Sequence, residues 1–146
     1  MPPLDESSLR FETATLVAIL PLRHAILRPD LPEDTARFDG DDLETTRHFA
    51  AFVRGRVVCC LSLHASQWRG TQAVQLRGMA TTREWQRQGI GRRLLDFALD
   101  PTDLCWCNAR VEAIGFYARA GWTVESEPFE IPTVGPHVKM LRRPQP

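Results

Sequence analysis

The chain has 146 residues, of which 43% are hydrophobic and 25% are charged, an ordinary composition for one globular domain. Its 18 basic and 18 acidic residues balance, so no overall charge draws the protein to nucleic acid or to an anionic membrane. The sequence shows neither a membrane-spanning apolar run nor a signal-peptide pattern, which predicts a cytoplasmic protein with no membrane partner. We expect one domain over residues 1–146, with residues 1–8 as a flexible tail.

The first predicted elements are a strand and a helix. Alternating residues over 9–13 indicate the strand, and residues 14–27 carry a helical apolar pattern. Pro21 lies inside that pattern and should kink or restart the helix, because proline removes a backbone hydrogen bond and clashes with the preceding turn. We interpret Arg23 and His24 as a pair on the helix surface, with a role in a site as the alternative.

Residues 28–46 predict a loop, because they are rich in proline and acidic side chains and contain an Asp-Gly turn signal. Two readings of the acidic residues stay open. They form a solvated loop, or they attract a cationic amine to a neighbouring cleft. The residues concerned are Asp39, Asp41, Asp42 and Glu44.

The middle of the chain predicts an antiparallel meander. Apolar runs over 47–53 and 57–64 flank Arg54-Gly55-Arg56, a pattern typical of a hairpin. Residues 67–70 form the next predicted turn, and residues 71–82 return as the central strand.

A polar, glycine-containing loop follows this central strand and precedes a helix. The helix carries apolar residues on one face, at Ile90, Leu94, Phe97 and Ala98. The first turn of a helix has unpaired N–H groups and a partial positive charge, and glycine lets a phosphate approach the backbone closely. The layout therefore predicts an anion site, with a plain helix start and packing glycines as the alternative. It is neither a GxxxxGK[ST] loop nor a complete GxGxxG.

After a break at residues 100–103, residues 104–108 predict a short strand suited to parallel pairing. A helix is expected over 111–120, and final strands over 122–126 and 137–142, joined by a proline-rich loop beside the site. The cysteines occur as adjacent or alternating pairs in apolar strands, so we predict buried thiols and no metal site. They are Cys59, Cys60, Cys105 and Cys107.

Two sequence blocks resemble one protein family. Gln86-x-x-Gly89-x-Gly91, preceded by LRGMAT and followed by RRLL, is similar to the acyl-CoA-binding motif of the GNAT superfamily of N-acetyltransferases. The stretch from Trp106 to Trp122 resembles that family's later strand and its FYxxxGF helix. Together the resemblance spans roughly residues 45–142. It implies an α/β fold with a mixed, mostly antiparallel central sheet, flanking helices and a splayed parallel strand pair.

The resemblance also implies roles for particular residues. Tyr117 would act as the general acid that protonates the CoA sulfur, with a structural core tyrosine as the alternative. His137 is a tentative general base; a structural histidine, or Glu127 or Glu130 acting through water, stays open. Asn108 would reach the cofactor arm or cap the following helix. The cofactor-binding residues are predicted to be Met79, Ala80, Thr81, Gln86, Arg87, Gln88, Gly89, Ile90, Gly91, Arg92 and Asn108.

The function implied is acetyl-CoA-dependent transfer of an acetyl group to a primary amine by direct attack, without an enzyme nucleophile. Two alternatives remain: a GNAT-like sensor that binds CoA or carries a longer acyl group, and a small α/β interaction domain without cofactor. The partners expected are acetyl-CoA and an amine that the sequence does not identify. A free sheet edge, or an exposed Trp68 or Trp85, would also allow a homodimer.

Overall fold

A computed structural model describes residues 8–145, so most of the predicted tail lies outside the described residues. Within this range the helices are α1 (Leu16–Leu27), α2 (Ile90–Ala98) and α3 (Ile114–Arg119), with short 3₁₀ turns at Glu33–Ala36, Arg83–Trp85 and Val111–Ala113. The strands are β1 (Leu9–Ala14), β2 (Arg47–Val53), β3 (Arg56–Trp68), β4 (Thr71–Thr81), β5 (Cys105–Arg110), β6 (Thr123–Val124), β7 (Phe129–Ile131) and β8 (Gly135–Arg142). No helix in residues 8–145 has the length and apolar character needed to cross a membrane.

The strands hydrogen-bond in the order β1-β2-β3-β4-β5-β8-β6, and β7 pairs with β8. The β4–β5 pairing is parallel, with Val74 opposite Cys105 and Gln75 opposite Trp106. Pairings of β1 with β2, β2 with β3, and β8 with its neighbours are antiparallel. The predicted fold class, a mostly antiparallel mixed sheet with one parallel pair, is confirmed.

The described chain divides into two compact units. The first comprises residues 8–64 and 78–99, and the second comprises residues 65–77 and 100–145.

Two hairpin turns set up the meander β2-β3-β4. Arg54 and Gly55 have φ values of 52° and 77°, and Arg69 and Gly70 have φ values of 48° and 84°. Two successive positive φ values belong to the type I′ turn, whose twist matches that of paired strands. The first turn confirms the predicted hairpin. The second is shorter than predicted, since β3 runs on to Trp68.

In the first unit, α1 is a continuous helix. Thr15 caps it by accepting a hydrogen bond from the Ala18 N–H at 3.2 Å. The predicted restart at Pro21 is wrong, since the helix runs through the proline. Ile19 and Arg23, on either side of it, are completely buried. Their tertiary packing outweighs the one backbone hydrogen bond that proline removes.

The apolar face of α2 also belongs to the first unit and is mostly as predicted. Ile90, Leu94, Leu95 and Ala98 are buried. Phe97 was predicted to share this face but is 51% exposed. Its ring lies at the flank of the helix against Phe11 and Phe49, at centroid distances of 6.1 and 6.2 Å, so it covers the edge of the core.

In the second unit, β5 buries alternate residues and pairs with β8 along its full length. The predicted helix over 111–120 starts with a 3₁₀ turn and becomes α-helical only over Ile114–Arg119. The short strand β7 was not predicted. It has three residues between Pro128 and Pro132, too few to show an alternating pattern.

All four cysteines are free and buried, which confirms the prediction of buried thiols. Burial raises the pKa of Cys59 to about 11, and that of Cys60 and of Cys105 to about 12. Burial also raises the pKa of Cys107. Thiols in this state are protonated at neutral pH and react slowly.

Candidate active site

The loop and helix predicted for the anion site, and the end of the strand before them, lie in the first unit. After β4 the 3₁₀ turn Arg83–Trp85 leads into the loop, and two glutamine side chains fold back onto the backbone. Gln86 Nε2 donates to the Thr81 carbonyl at 2.9 Å, and Gln88 Nε2 donates to the Glu84 carbonyl at 3.2 Å. These hydrogen bonds hold the loop while its main-chain N–H groups remain available.

The backbone of the loop turns through two residues in the left-handed region. Arg87 has a φ of 64°, and Gly89, the N-cap of α2, has a φ of 82°. Positive φ values before a right-handed helix create the kind of nest that binds anions. The first helical hydrogen bond runs from the Arg93 N–H to the Gly89 carbonyl at 3.1 Å. Within the described chain, the N–H groups of residues 87–91 have no acceptor.

Arginine side chains add positive charge around this loop. Arg87 is exposed. Arg92 Nε lies 3.3 Å from the Asp96 carboxylate one turn later, and the Arg93 guanidinium lies 5.1 Å from the Phe11 ring centroid. The Arg92–Asp96 pair is solvent-exposed and contributes little to stability. Arg87 is thus an exposed cation of the loop, and no carboxylate among residues 8–145 pairs with it.

The last residues of β4 precede the loop in the same unit. Cys60 Sγ lies 3.7 Å from the Gly78 carbonyl, and Thr81 Oγ1 lies 3.2 Å from Cys59 Sγ. Gly78 has a φ of 66°, so the strand is irregular just before Met79. The parallel ladder recorded with β5 ends at Gln75, upstream of this irregularity.

A buried polar cluster, which the sequence did not predict, lies beside Gly78. Arg23 Nη1 donates to Asp41 Oδ2 at 2.7 Å and to the Ala36 carbonyl at 2.8 Å, and Arg23 Nη2 donates to Ser62 Oγ at 2.8 Å. Arg23 is thus not the surface residue that was predicted. Asp41 is 2% exposed, so it belongs neither to a solvated loop nor to a surface that attracts cations.

Two histidines complete this cluster. His64 Nε2 lies 3.2 Å from Asp41 Oδ1. His48 Nε2 lies 3.0 Å from the Asp41 carbonyl, and its Nδ1 lies 2.6 Å from Ser62 Oγ. Burial by itself would raise the pKa of Asp41, but the hydrogen bonds from His64 and Arg23 outweigh it and lower that pKa well below its ordinary value. The cluster ties the loop after α1 to β2 and β3.

Tyr117 is buried in the second unit, on α3. Its ring packs between those of Phe116 and Trp122, both at a centroid distance of 5.1 Å. A hydrogen bond links its side chain to that of Cys107 on β5. The hydroxyl therefore points to the side of β5 that carries the buried thiols.

Asn108 and His137 lie on the opposite side of β5 and β8 from Cys107, because side chains alternate along a strand. Asn108 pairs directly with Lys139, and its Oδ1 accepts a hydrogen bond from Lys139 Nζ at 3.0 Å. It does not cap the following helix, so that alternative is wrong. His137 Nδ1 lies 2.7 Å from the Gly135 carbonyl, so in the neutral imidazole Nδ1 is the donor and Nε2 carries the lone pair.

Comparison with known proteins identifies the family. A family model described as an acetyltransferase (GNAT) domain matches residues 44–124. The chain belongs to the GNAT acetyltransferase superfamily. This GNAT chain is 32% identical to the uncharacterized N-acetyltransferase YitI of Bacillus subtilis strain 168, over 92% of this chain and 95% of that protein.

Solved structures share the GNAT fold. ElaA of Escherichia coli matches with a TM-score of 0.77 and 18% identity, over 92% of this chain and 99% of that chain. An aminoglycoside 6'-N-acetyltransferase complexed with coenzyme A matches with a TM-score of 0.72 and 10% identity, over 94% of this chain and 98% of that chain. Membership of this family supports acyltransferase activity.

Proposed function

We propose that this GNAT protein is an acetyl-CoA-dependent N-acetyltransferase that acetylates a primary amine by direct attack. The observation that carries the proposal is the loop of residues 87–91. Its N–H groups have no acceptor in the described chain, and they precede α2 within the family's acyl-CoA motif. These donors and the helix dipole suit the diphosphate of CoA. The CoA bound to the related aminoglycoside 6'-N-acetyltransferase supports the same choice of cofactor.

The remaining cofactor contacts follow from the family pattern. We propose that the pantetheine arm hydrogen-bonds to the backbone of Met79, Ala80 and Thr81, pairing with β4 as an added strand would. The N–H groups from Arg87 through Arg92 would bind the diphosphate, while Gln86, whose own N–H donates to the Arg83 carbonyl, holds the loop through its side chain. Asn108 would donate from its Nδ2 to a carbonyl of the arm, since its Oδ1 already accepts from Lys139. We also propose a cytoplasmic location, because four free thiols suit a reducing compartment.

The reaction requires two proton transfers. The neutral amine attacks the thioester carbonyl carbon, a C–N bond forms, and the C–S bond then breaks with its electron pair on sulfur. We assign the proton given to sulfur to Tyr117, which occupies the matching position of the family's FYxxxG helix. We assign removal of the amine proton to His137 Nε2, which faces the opposite side of β5 from the Tyr117 hydroxyl, so that the amine would approach the thioester carbon from one side while the sulfur is protonated from the other. The products are the acetamide and free CoA thiol, and no enzyme nucleophile is consumed.

Calorimetric titration with acetyl-CoA tests the cofactor site. Gly89→Ala places an alanine at a position in the centre of the loop where the backbone is in the left-handed region. Gly70→Ala is a matched control, because Gly70 has a φ of 84° and, like Gly89, open space around its Cβ position. Both variants should lose about 1–2 kcal/mol of stability, but only Gly89→Ala should weaken acetyl-CoA binding, by about tenfold or more. Equal affinities in the two variants would refute a diphosphate site here.

A panel of amines assayed by thiol release from acetyl-CoA tests the reaction itself. On any amine that is acetylated, Tyr117→Phe should lower kcat by about a hundredfold, because a general acid contributes roughly 10²–10⁴. The affinity for acetyl-CoA should change less than about twofold, since the ring and its packing are kept. Unchanged turnover would remove Tyr117 as the acid. Tight acetyl-CoA binding without any thiol release would favour a CoA sensor instead.

A further inference from the structure

The second unit holds a half-buried ammonium group with no carboxylate beside it. Lys139 is the only lysine in the sequence. Its Nζ lies 3.0 Å from Asn108 Oδ1, 4.6 Å from the Trp106 ring centroid and 5.3 Å from that of Phe129. No acidic side chain in residues 8–145 pairs with it. Aromatic faces attract a cation, but they do not replace the hydrogen bonds that an ammonium makes in water.

The backbone of Glu125 adjoins that of Lys139, but the Glu125 carboxylate already has other partners. The Glu125 N–H donates to the Lys139 carbonyl at 2.9 Å. The Glu125 carboxylate instead accepts from Thr123 Oγ1 at 2.9 Å and pairs with Arg143 at 3.4 Å. The Asn108 amide oxygen is neutral and accepts one of the three ammonium protons. Two donors of Lys139 therefore remain for an anionic partner from outside the chain.

The unpaired nitrogen of His137 belongs to the same face. His137 lies two residues before Lys139 on β8, so their Cα atoms are about 7 Å apart and their side chains point to the same side. The Phe129 ring lies beside both groups, since its centroid is 6.1 Å from that of His137. Nε2 of His137 has no partner in the described chain and is not among the polar atoms sealed from solvent.

Arginine side chains stand around this face, and its acidic neighbour Glu125 is already paired with Arg143. Arg110 stands directly opposite His137 in the β5–β8 register. The Arg69 guanidinium covers the Trp68 ring at 4.9 Å, and Trp68 packs on Trp106 at 5.7 Å. The face thus combines aromatic surface with positive charge, which disfavours a polycationic substrate.

We propose that Lys139 binds a carboxylate of the acceptor, so that the acceptor is an amino-acid-like compound whose amine lies a few bonds from that carboxylate. This inference rests on the proposed N-acetyltransferase function and names its substrate class. Two Lys139 donors hold the carboxylate, the aromatic rings cover the apolar part, and the amine reaches Nε2 of His137. Lys139 is a specificity-determining residue and takes no proton from the reacting amine.

Kinetics with matched acceptors test this role. L-Phenylalanine and L-leucine are compared with their carboxamides, and each variant is scored against the wild type on the same compound, which cancels differences in amine basicity. Lys139→Met keeps the apolar stem and should lower kcat/KM about tenfold or more for the carboxylates, with less than a threefold change for the amides. Lys139→Arg should recover most of the loss. Arg56→Met, which removes an exposed cation in the first unit, should change neither.

A binding measurement gives an answer that does not depend on turnover. Biosynthetic labelling with [ε-¹³C]lysine marks Lys139 alone, because it is the only lysine in the sequence, and it keeps all three ammonium protons. Titration of this protein, in the presence of CoA, with N-acetyl-L-phenylalanine and N-acetyl-L-leucine should shift the Lys139 Cε resonance saturably. The corresponding amides should shift it at least tenfold more weakly.

Two results would overturn the proposal. The first is equal response of the Lys139 resonance to carboxylates and amides. The second is a Lys139→Met variant that loses acetyl-CoA affinity and turns over carboxylates and amides in an unchanged ratio, since Lys139 would then serve only to orient Asn108. If the N-acetyltransferase function itself is wrong, no amine will cause thiol release. The resonance titration would still show whether Lys139 binds a carboxylate.

Discussion

Asp41→Asn should destabilise the protein severely, although it only replaces one carboxylate oxygen of a loop residue with an amide nitrogen. Asp41 accepts hydrogen bonds from Arg23, from His64 and from the Phe38 N–H, and its side chain is completely buried. The substitution leaves the Arg23 guanidinium buried without its counter-charge. Breaking a buried pair by removing one partner costs about 3–5 kcal/mol. That is a large part of the roughly 5–15 kcal/mol that stabilises a typical domain.

Equilibrium unfolding in urea measures this loss. With a slope of about 2 kcal/mol/M, the midpoint should fall by about 1.5–2.5 M while the slope stays constant. Asp42→Asn is the matched control, because Asp42 is the exposed neighbour and should change stability by less than about 0.5 kcal/mol. The double variant Arg23→Met/Asp41→Asn should be less destabilised than the sum of the single variants, because no uncompensated charge remains.

The same pair predicts a pH dependence. The pKa of Asp41 is lower in the folded protein than its ordinary value of 3.8, so its contribution is fully present above that value. It is lost as the pH falls from 3.8 through the folded pKa. The stability gap between wild type and Asp41→Asn should therefore narrow as the pH falls below 3.8. A cost below 1 kcal/mol at pH 7, or a gap that widens in acid, would refute the reasoning.

Two further predictions concern the first unit and the thiols. Gly78→Ala should cost at least about 2 kcal/mol more than Gly70→Ala in thermal or urea unfolding, because its Cβ would lie 2.5 Å from Arg23 Nε; equal losses would contradict that clash. When the folded protein is treated with a chromogenic thiol reagent at pH 8, the reagent should release no chromophore rapidly, since the pKa of Cys59 is about 11. All four thiols should react in denaturant, and a rapidly labelled cysteine in the folded state would contradict their burial.

Local sequence signals predicted the parts of the fold that depend on neighbouring residues. Arg54-Gly55 forms a type I′ turn because the chain there needs two positive φ values. The GNAT motif predicted the strand, loop and helix that surround Gly89. The roles of Tyr117, Asn108 and His137 come from family resemblance, and they stay predictions until variants are measured.

Long-range packing accounts for what the sequence did not reveal. Arg23 meets partners that lie 13, 18 and 39 residues away along the chain. A helical pattern shows only that Arg23 is polar, and a polar residue on a helix is normally exposed. The burial of Asp41 was missed for the same reason. A run of acidic residues normally indicates a solvated loop, and the sequence does not show that the buried Arg23 guanidinium lies beside Asp41. Phe97 was misjudged because helical spacing does not distinguish the centre of a face from its flank.

The scarcity of lysine has a consequence for the protein's own chemical durability. Acyl thioesters modify unprotected amines spontaneously, and under the proposed function this protein would keep one bound. Apart from Lys139, every basic side chain counted among the 18 is an arginine, whose guanidinium stays protonated and is a poor nucleophile. The one ε-amine present is tethered to Asn108. The chain therefore offers its donor almost no side chain on which self-acylation can accumulate.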